Sequence, residues 1–238
     1  MVEKKVEYRD RLIVALLADR MRDAEKMVKL LKKEVHIFEI GLPTYTALGP
    51  DVIKMVHDHQ CKVFLDLKYH DIPSTVELAV RHATKLGVAM LTVHATGGTE
   101  MLRRAAHAAE DAAGSKTEMP LLLAVTVLTS METLADVGVQ FEVREQVVRL
   151  AQLAKKCGFQ GVVASPLEIK PVRKACGERF LIVTTGVRPL GSAPLDQRRF
   201  AAPVMAIAAG ADYLVIGRPV VQAKDPHAVV QQILKEIS

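Results

Sequence analysis

Two carboxylates and an ammonium stand close together in Val63-Phe-Leu-Asp-Leu-Lys-Tyr-His-Asp-Ile-Pro-Ser-Thr75, as Asp66, Lys68 and Asp71. The stretch opens as a buried strand, Val63 to Leu67, and turns out of it near Tyr69. A strand repeats every two residues, so Asp66 and Lys68 share one face, and Asp71 follows where a loop can fold it back toward them. Charges at the mouth of an apolar strand are costly unless they neutralise one another or act on a ligand. A structural ion-pair network accounts for an isolated motif of this kind about as well as an active site does. The rest of the chain decides between them.

The elements that must position these groups alternate along the whole sequence. Apolar runs typical of strands buried on both faces occur at Leu12–Leu17, Val35–Ile40, Val63–Leu67, Val88–Val93, Leu121–Val127, Gly161–Ala164, Phe180–Thr184 and Tyr213–Ile216. Between and after them, helical spacing covers Met21–Lys33, Pro50–Gln60, Pro73–Leu86, Gly98–Ala113, Val143–Cys157, Pro166–Cys176, Phe200–Ala209 and Pro226–Ile237, with a shorter helix over Met131–Val137. Eight strand–helix units without a dividing linker predict an α/β fold, a (β/α)8 TIM barrel forming a single domain over 1–238. An open doubly wound sheet is the weaker reading, since no GxGxxG follows the first strand.

Composition narrows the function. Half of the 238 residues are hydrophobic, but there is no Trp and only four Tyr and six Phe, which favours helices packed on a parallel sheet. The net charge of +5 is spread along the chain without a basic run, so an anionic small molecule explains it and nucleic acid is not expected. Cys61, Cys157 and Cys176 form no CxxC pair and read as reduced thiols of a cytoplasmic protein. No apolar span reaches roughly eighteen residues, so neither a membrane segment nor a membrane partner is expected.

In a barrel of this kind the chemistry sits at the C-terminal ends of the strands, and a phosphate is commonly held by the loops after strands seven and eight. Arg188 lies in Thr184-Thr-Gly-Val-Arg-Pro-Leu-Gly-Ser192 and Arg218 in Ile216-Gly-Arg-Pro219, the two loops in question. An arginine there offers charge-assisted, bidentate hydrogen bonds to an anion. His94, at the end of strand four, reads as structural.

On these motifs, together with Arg11-Leu-Ile-Val-Ala15, Val93-His-Ala95, Val125-Thr-Val-Leu-Thr-Ser-Met131, Asp196-Gln-Arg-Arg199 and Ala211-Asp-Tyr-Leu-Val-Ile-Gly-Arg-Pro219, nearly the whole chain resembles the orotidine 5'-phosphate decarboxylase family. The resemblance implies conversion of orotidine 5'-phosphate to UMP and CO2, a step of pyrimidine biosynthesis, without metal or organic cofactor. It implies that Lys68 donates the proton to the carbanion left at C6 and that Asp66 crowds the departing carboxylate. It also implies a homodimer in which Asp71 reaches the neighbouring subunit's site. Thr129, Ser130 and Gln197 match positions near the pyrimidine or phosphate, and Thr75 joins the substrate-binding set. Arg188, Gly217 and Arg218 match phosphate and ribose contacts.

Two positions depart from the family pattern. Strand one of the family ends in Ala-x-Asp, whose carboxylate holds the ribose; Leu17 stands there, and Asp19, two residues on, substitutes only if the loop shifts. Strand two of the family carries a lysine where this chain has Glu39, in Phe38-Glu-Ile-Gly41. Three carboxylates (Glu39, Asp66, Asp71) then face one ammonium, a formal charge of −2. Pro43-Thr44, Thr185 and Leu195 are further changes at the same mouth. Either one carboxyl keeps its proton beside a like-charged neighbour, or a divalent cation such as Mg2+ sits between Glu39 and Asp66. The second arrangement resembles that of hexulose-phosphate synthases and keto-gulonate-phosphate decarboxylases. The readings carried forward are a decarboxylase weakened by Leu17 and Glu39, a Mg2+-assisted enzyme acting on another sugar phosphate, and an inactive nucleotide-binding or scaffold barrel.

Overall fold

The β-branched and leucine-rich runs pair side by side as eight parallel strands: β1 Leu12–Leu16, β2 Ile37–Gly41, β3 Lys62–Tyr69, β4 Met90–His94, β5 Leu121–Val125, β6 Gly161–Ala164, β7 Leu181–Thr184 and β8 Tyr213–Ile216. Each pairs with its neighbour in sequence, and β8 closes on β1. The helices are α1 Met21–Leu31, α2 Leu42–Leu48, α3 Asp51–Asp58, α4 Pro73–Lys85, α5 Gly98–Ala112, α6 Val143–Lys156, α7 Ile169–Cys176, α8 Pro203–Ala208, α9 Arg218–Val221 and α10 Pro226–Ile237. The computed structural model describes residues 8–115, 118–188 and 201–238. The fold is a (β/α)8 TIM barrel.

Strand periodicity divides the apolar residues into two cores. One face of each strand packs outward against the helices, as Leu12, Val14 and Leu16 of β1 do. The other face fills the barrel, where Ile13, Ile37, Phe64, Met90, Leu123, Val183 and Tyr213 pack together. One step further along the same inward faces come Ala15, Glu39, Asp66 and Thr92, and then Leu17, Lys68, His94 and Gly217. The hydrophobic plug therefore ends where the polar residues begin, and the barrel opens above it.

Some elements differ from the sequence expectation. β1 stops at Leu16 and β2 runs from Ile37 to Gly41, one residue beyond Ile40. β3 is longer than Val63–Leu67, extending to Tyr69. Two short helices, α2 and α9, were not anticipated; at seven and four residues they show too little periodicity to be read from pattern. The helix expected over Met131–Val137 is a single 3-10 turn, Ala135–Val137, ended by Gly138 in the left-handed region at φ 71°. Close approach of β6 to β7 requires Gly161, where a Cβ would lie 2.4 Å from the Leu181 carbonyl oxygen.

α2 positions the exit of β1. Thr44, fully buried, donates from its hydroxyl to the Leu16 carbonyl at 2.9 Å and accepts from the Ala18 N–H at 3.3 Å. The two bonds bracket Leu17 and hold it at the barrel mouth. Replacing Thr44 with valine keeps the shape and leaves both backbone groups without that partner. Thr44→Val is expected to lower the unfolding free energy by about 1–3 kcal/mol in chemical denaturation.

Candidate active site

A cavity of about 250 Å³ opens at the C-terminal ends of the strands. Its floor is apolar, from Ala15, Val125, Val163 and Val215, and one wall carries Glu39, Asp66 and Lys68. The opposite rim carries Thr185, Gly186, Arg188, Gly217 and Arg218, with Thr129 beside them. Motifs some 150 residues apart in sequence thus face each other across one opening.

The charged wall owes its form to an irregularity in β3. The ladder to β4 runs through Leu65↔Leu91 and resumes at Tyr69↔Val93, so four residues of β3 advance against two of β4. Lys68 takes up the slack at φ 50°, a left-handed conformation uncommon for a residue with a Cβ. The Lys68 N–H donates to the Thr92 hydroxyl at 2.9 Å. That hydroxyl donates in turn to Asp66 Oδ1 at 2.8 Å, and Lys68 Nζ closes the ring on Asp66 Oδ2. Asp66 and Thr92 are buried while Lys68 is partly open to the cavity, so the pair is desolvated on the carboxylate side. Thr92 was not singled out by sequence reasoning, because a threonine between Leu91 and Val93 is unremarkable in a strand.

Glu39 lies one strand away, buried, with its carboxyl close to that of Asp66. Burial, and then the negative charge of Asp66, push its carboxyl well above the ordinary value of 4.5, with Lys68 offsetting this in part. Burial beside Asp66 thus disfavours the ionised form of Glu39. Proton retention beside a like-charged neighbour is the direction in which burial and Asp66 move this carboxyl. The donor set suits a divalent cation less well. Both Asp66 oxygens already accept hydrogen bonds, one from an ammonium, and the described residues contain no group of three or more His, Cys, Asp or Glu placed to hold a metal ion.

The rim carries two guanidinium groups. Arg188 is 6% exposed and Arg218 opens α9 directly after β8. Gly217 leaves its backbone bare there: a Cβ would lie 3.4 Å from that of Ala15 and 3.9 Å from Leu17 Cδ1. Leu17, 48% exposed, lines the cavity beside Gly217, whereas Asp19 is exposed and absent from the lining. With Leu16 and Ala18 tied to Thr44, the loop shift that Asp19 would need breaks two hydrogen bonds.

Not every expected residue meets the others here. Asp71 is exposed and accepts from the Ile72 N–H at 2.6 Å, outside this chain's own cavity. Thr75 and Ser130 are also exposed and do not line it. Gln197 and Leu195 lie outside the described residues. His94 sits with its ring centroid 5.4 Å from that of His70, and burial, followed by the charges of His70 and Lys68, lowers its pKa.

A profile described as the Orotidine 5'-phosphate decarboxylase / HUMPS family matches residues 10–233. The orotidine 5'-phosphate decarboxylase of Trichlorobacter lovleyi is 48% identical over 97% of this chain and 96% of its own length. That of Moorella thermoacetica is 48% identical over 98% of this chain and 94% of its own. The crystal structure of orotidine 5'-phosphate decarboxylase from Lactobacillus acidophilus superposes with a TM-score of 0.85 at 36% identity, covering 96% of this chain and 99% of that one.

The protonation of Glu39 is testable through stability. A carboxyl whose folded pKa is raised contributes stability that is complete below its unfolded value and is lost as the pH rises through the folded value. The Glu39 contribution is thus present near and below pH 4.5 and declines above it. Glu39→Gln, a neutral stand-in for the acid, is expected to gain on the unmodified chain as the pH rises. Denaturation curves from pH 4 to 9, an interval of about five units around the shift, measure this difference; a constant gap between the two proteins contradicts it.

Proposed function

The chain belongs to the Orotidine 5'-phosphate decarboxylase / HUMPS family, and we propose that it is a carboxy-lyase converting orotidine 5'-phosphate to UMP and CO2. The observation that carries this reading is the desolvated Asp66–Lys68 pair facing Arg188 and Arg218 across one cavity. A phosphate held at the arginines supplies binding energy remote from the reacting carbon, which fixes the ring over Lys68. As the C–CO2 bond breaks, its electron pair stays on the ring carbon. The ammonium beside it stabilises that charge and then gives it a proton. Asp66, held by Thr92 and Lys68, places negative charge near the substrate carboxylate and favours its departure as neutral CO2.

The reaction so drawn uses side chains alone. A Mg2+ ion shared by Glu39 and Asp66, the route to a different sugar-phosphate reaction, would have to displace the ammonium and the Thr92 hydroxyl from Asp66. The exposed Asp71 and Thr75, next to exposed Ile72 and Leu78, support a homodimer in which these residues complete the partner's site. The reaction is that of a cytoplasmic enzyme of pyrimidine biosynthesis. Among the described residues no helix is long and apolar enough to cross a membrane.

Leu17 and Glu39 set the rate low. Leu17 offers no hydrogen bond to a sugar hydroxyl, and Glu39 sets a carboxyl against Asp66 where the family carries a lysine. Together they are expected to cost about 4 kcal/mol of transition-state stabilisation, roughly a thousandfold in turnover. A decarboxylation assay, run with and without Mg2+, should show slow, metal-independent release of UMP. Lys68→Ala should abolish it, and Leu17→Asp combined with Glu39→Lys should accelerate it. Absence of turnover in both the unmodified chain and that double variant rejects the assignment. At the rim, Arg218→Ala should weaken UMP binding by about 1.5–3 kcal/mol, the scale of a charged hydrogen bond, in calorimetry.

A further inference from the structure

We propose that Thr92 is a positioning residue, whose hydroxyl sets the direction of both the Asp66 carboxylate and the Lys68 ammonium; its catalytic consequence rests on the decarboxylase reading. The polarity of the two hydrogen bonds is forced. A backbone N–H can only donate, so at Lys68 the hydroxyl accepts; an ionised carboxylate can only accept, so at Asp66 the hydroxyl donates. One small side chain therefore satisfies two groups of opposite demand, in a place with 0% exposure where water does not substitute.

Both groups need that partner because of the bulge. Between Leu65 and Tyr69 the ladder to β4 is interrupted, which takes the Lys68 N–H out of the regular pattern, and the residue sits at φ 50°. A strained backbone persists only where its surroundings over-determine it. Without the hydroxyl, the Lys68 amide is a buried donor with its bond removed, and the carboxylate is free to turn about its Cβ–Cγ bond. The ammonium is anchored to that carboxylate, so either change re-aims Nζ. Because Thr92 does not line the cavity and stands apart from the arginine rim, binding of a phosphate ester is left intact.

The test compares Thr92→Val, which keeps the shape, with Thr92→Ser, which keeps the hydroxyl. Turnover of orotidine 5'-phosphate, UMP affinity and NMR-detected deuterium exchange of the Lys68 amide are read for each. In Thr92→Val, kcat is expected to fall about ten- to a hundredfold, UMP affinity to stay within about twofold, and the Lys68 amide to exchange at least about tenfold faster. Thr92→Ser should restore both kcat and protection. The inference is overturned if Thr92→Val keeps its kcat or its Lys68 protection, if UMP affinity falls in step with kcat, or if serine is no better than valine. Should valine prevent folding, Thr92→Ala removes the same hydroxyl without placing a methyl against the carboxylate. If the unmodified chain shows no turnover, the decarboxylase reading fails by itself, and the exchange and UMP measurements still decide whether Thr92 positions Lys68.

Discussion

A carboxylate and an ammonium held together at the top of an apolar plug are the constraint on which the rest of the site depends. Removed from water, neither charge is tolerable alone, and their attraction offsets the desolvation cost only when further hydrogen bonds complete the carboxylate. Asp66 meets that condition through Lys68 and Thr92. The Phe64 and Met90 layer beneath it keeps solvent out, and the β3 bulge takes the Lys68 N–H out of the ladder and onto Thr92. A more regular strand would be less strained and would leave the Lys68 N–H in the ladder instead of on Thr92.

Glu39 shows how the site accommodates a residue of the wrong sign. Three carboxylates around one ammonium look untenable when counted as formal charges. In the folded chain the count changes, because Asp71 is outside the cavity and burial beside Asp66 raises the proton affinity of Glu39. What remains inside is the Asp66–Lys68 pair with the buried Glu39 carboxyl against it. The rim adds the Arg188 and Arg218 guanidinium groups to that lining.

Leu17 is accommodated differently. Thr44 fixes the residues on either side of it, so the loss of a polar group at that point is not relieved by a neighbour moving in. The cavity stays apolar at Leu17 next to Gly217, while its rim carries Arg188 and Arg218. A rigid β1 exit thus makes the substitution a change of chemistry with little change of shape.

The barrel, the opposed charged and basic edges, and the pairing of Asp66 with Lys68 could be read from the sequence by itself. They follow from short-range rules: period-two strands, period-3.6 helices, and the tendency of this fold to carry polar residues at strand ends. Thr92 and Thr44 could not be read this way, because a threonine in a strand or a short helix has no signature until a partner 24 or 28 residues away is brought against it. Nor could the direction of the Glu39 shift, since a carboxyl's proton affinity depends on burial and on its neighbours across the sheet. The sequence determined which groups stand at the barrel mouth. Only the tertiary structure decided which of them are charged, which are clamped and which face away, because these are set by the field and hydrogen bonds of residues distant along the chain.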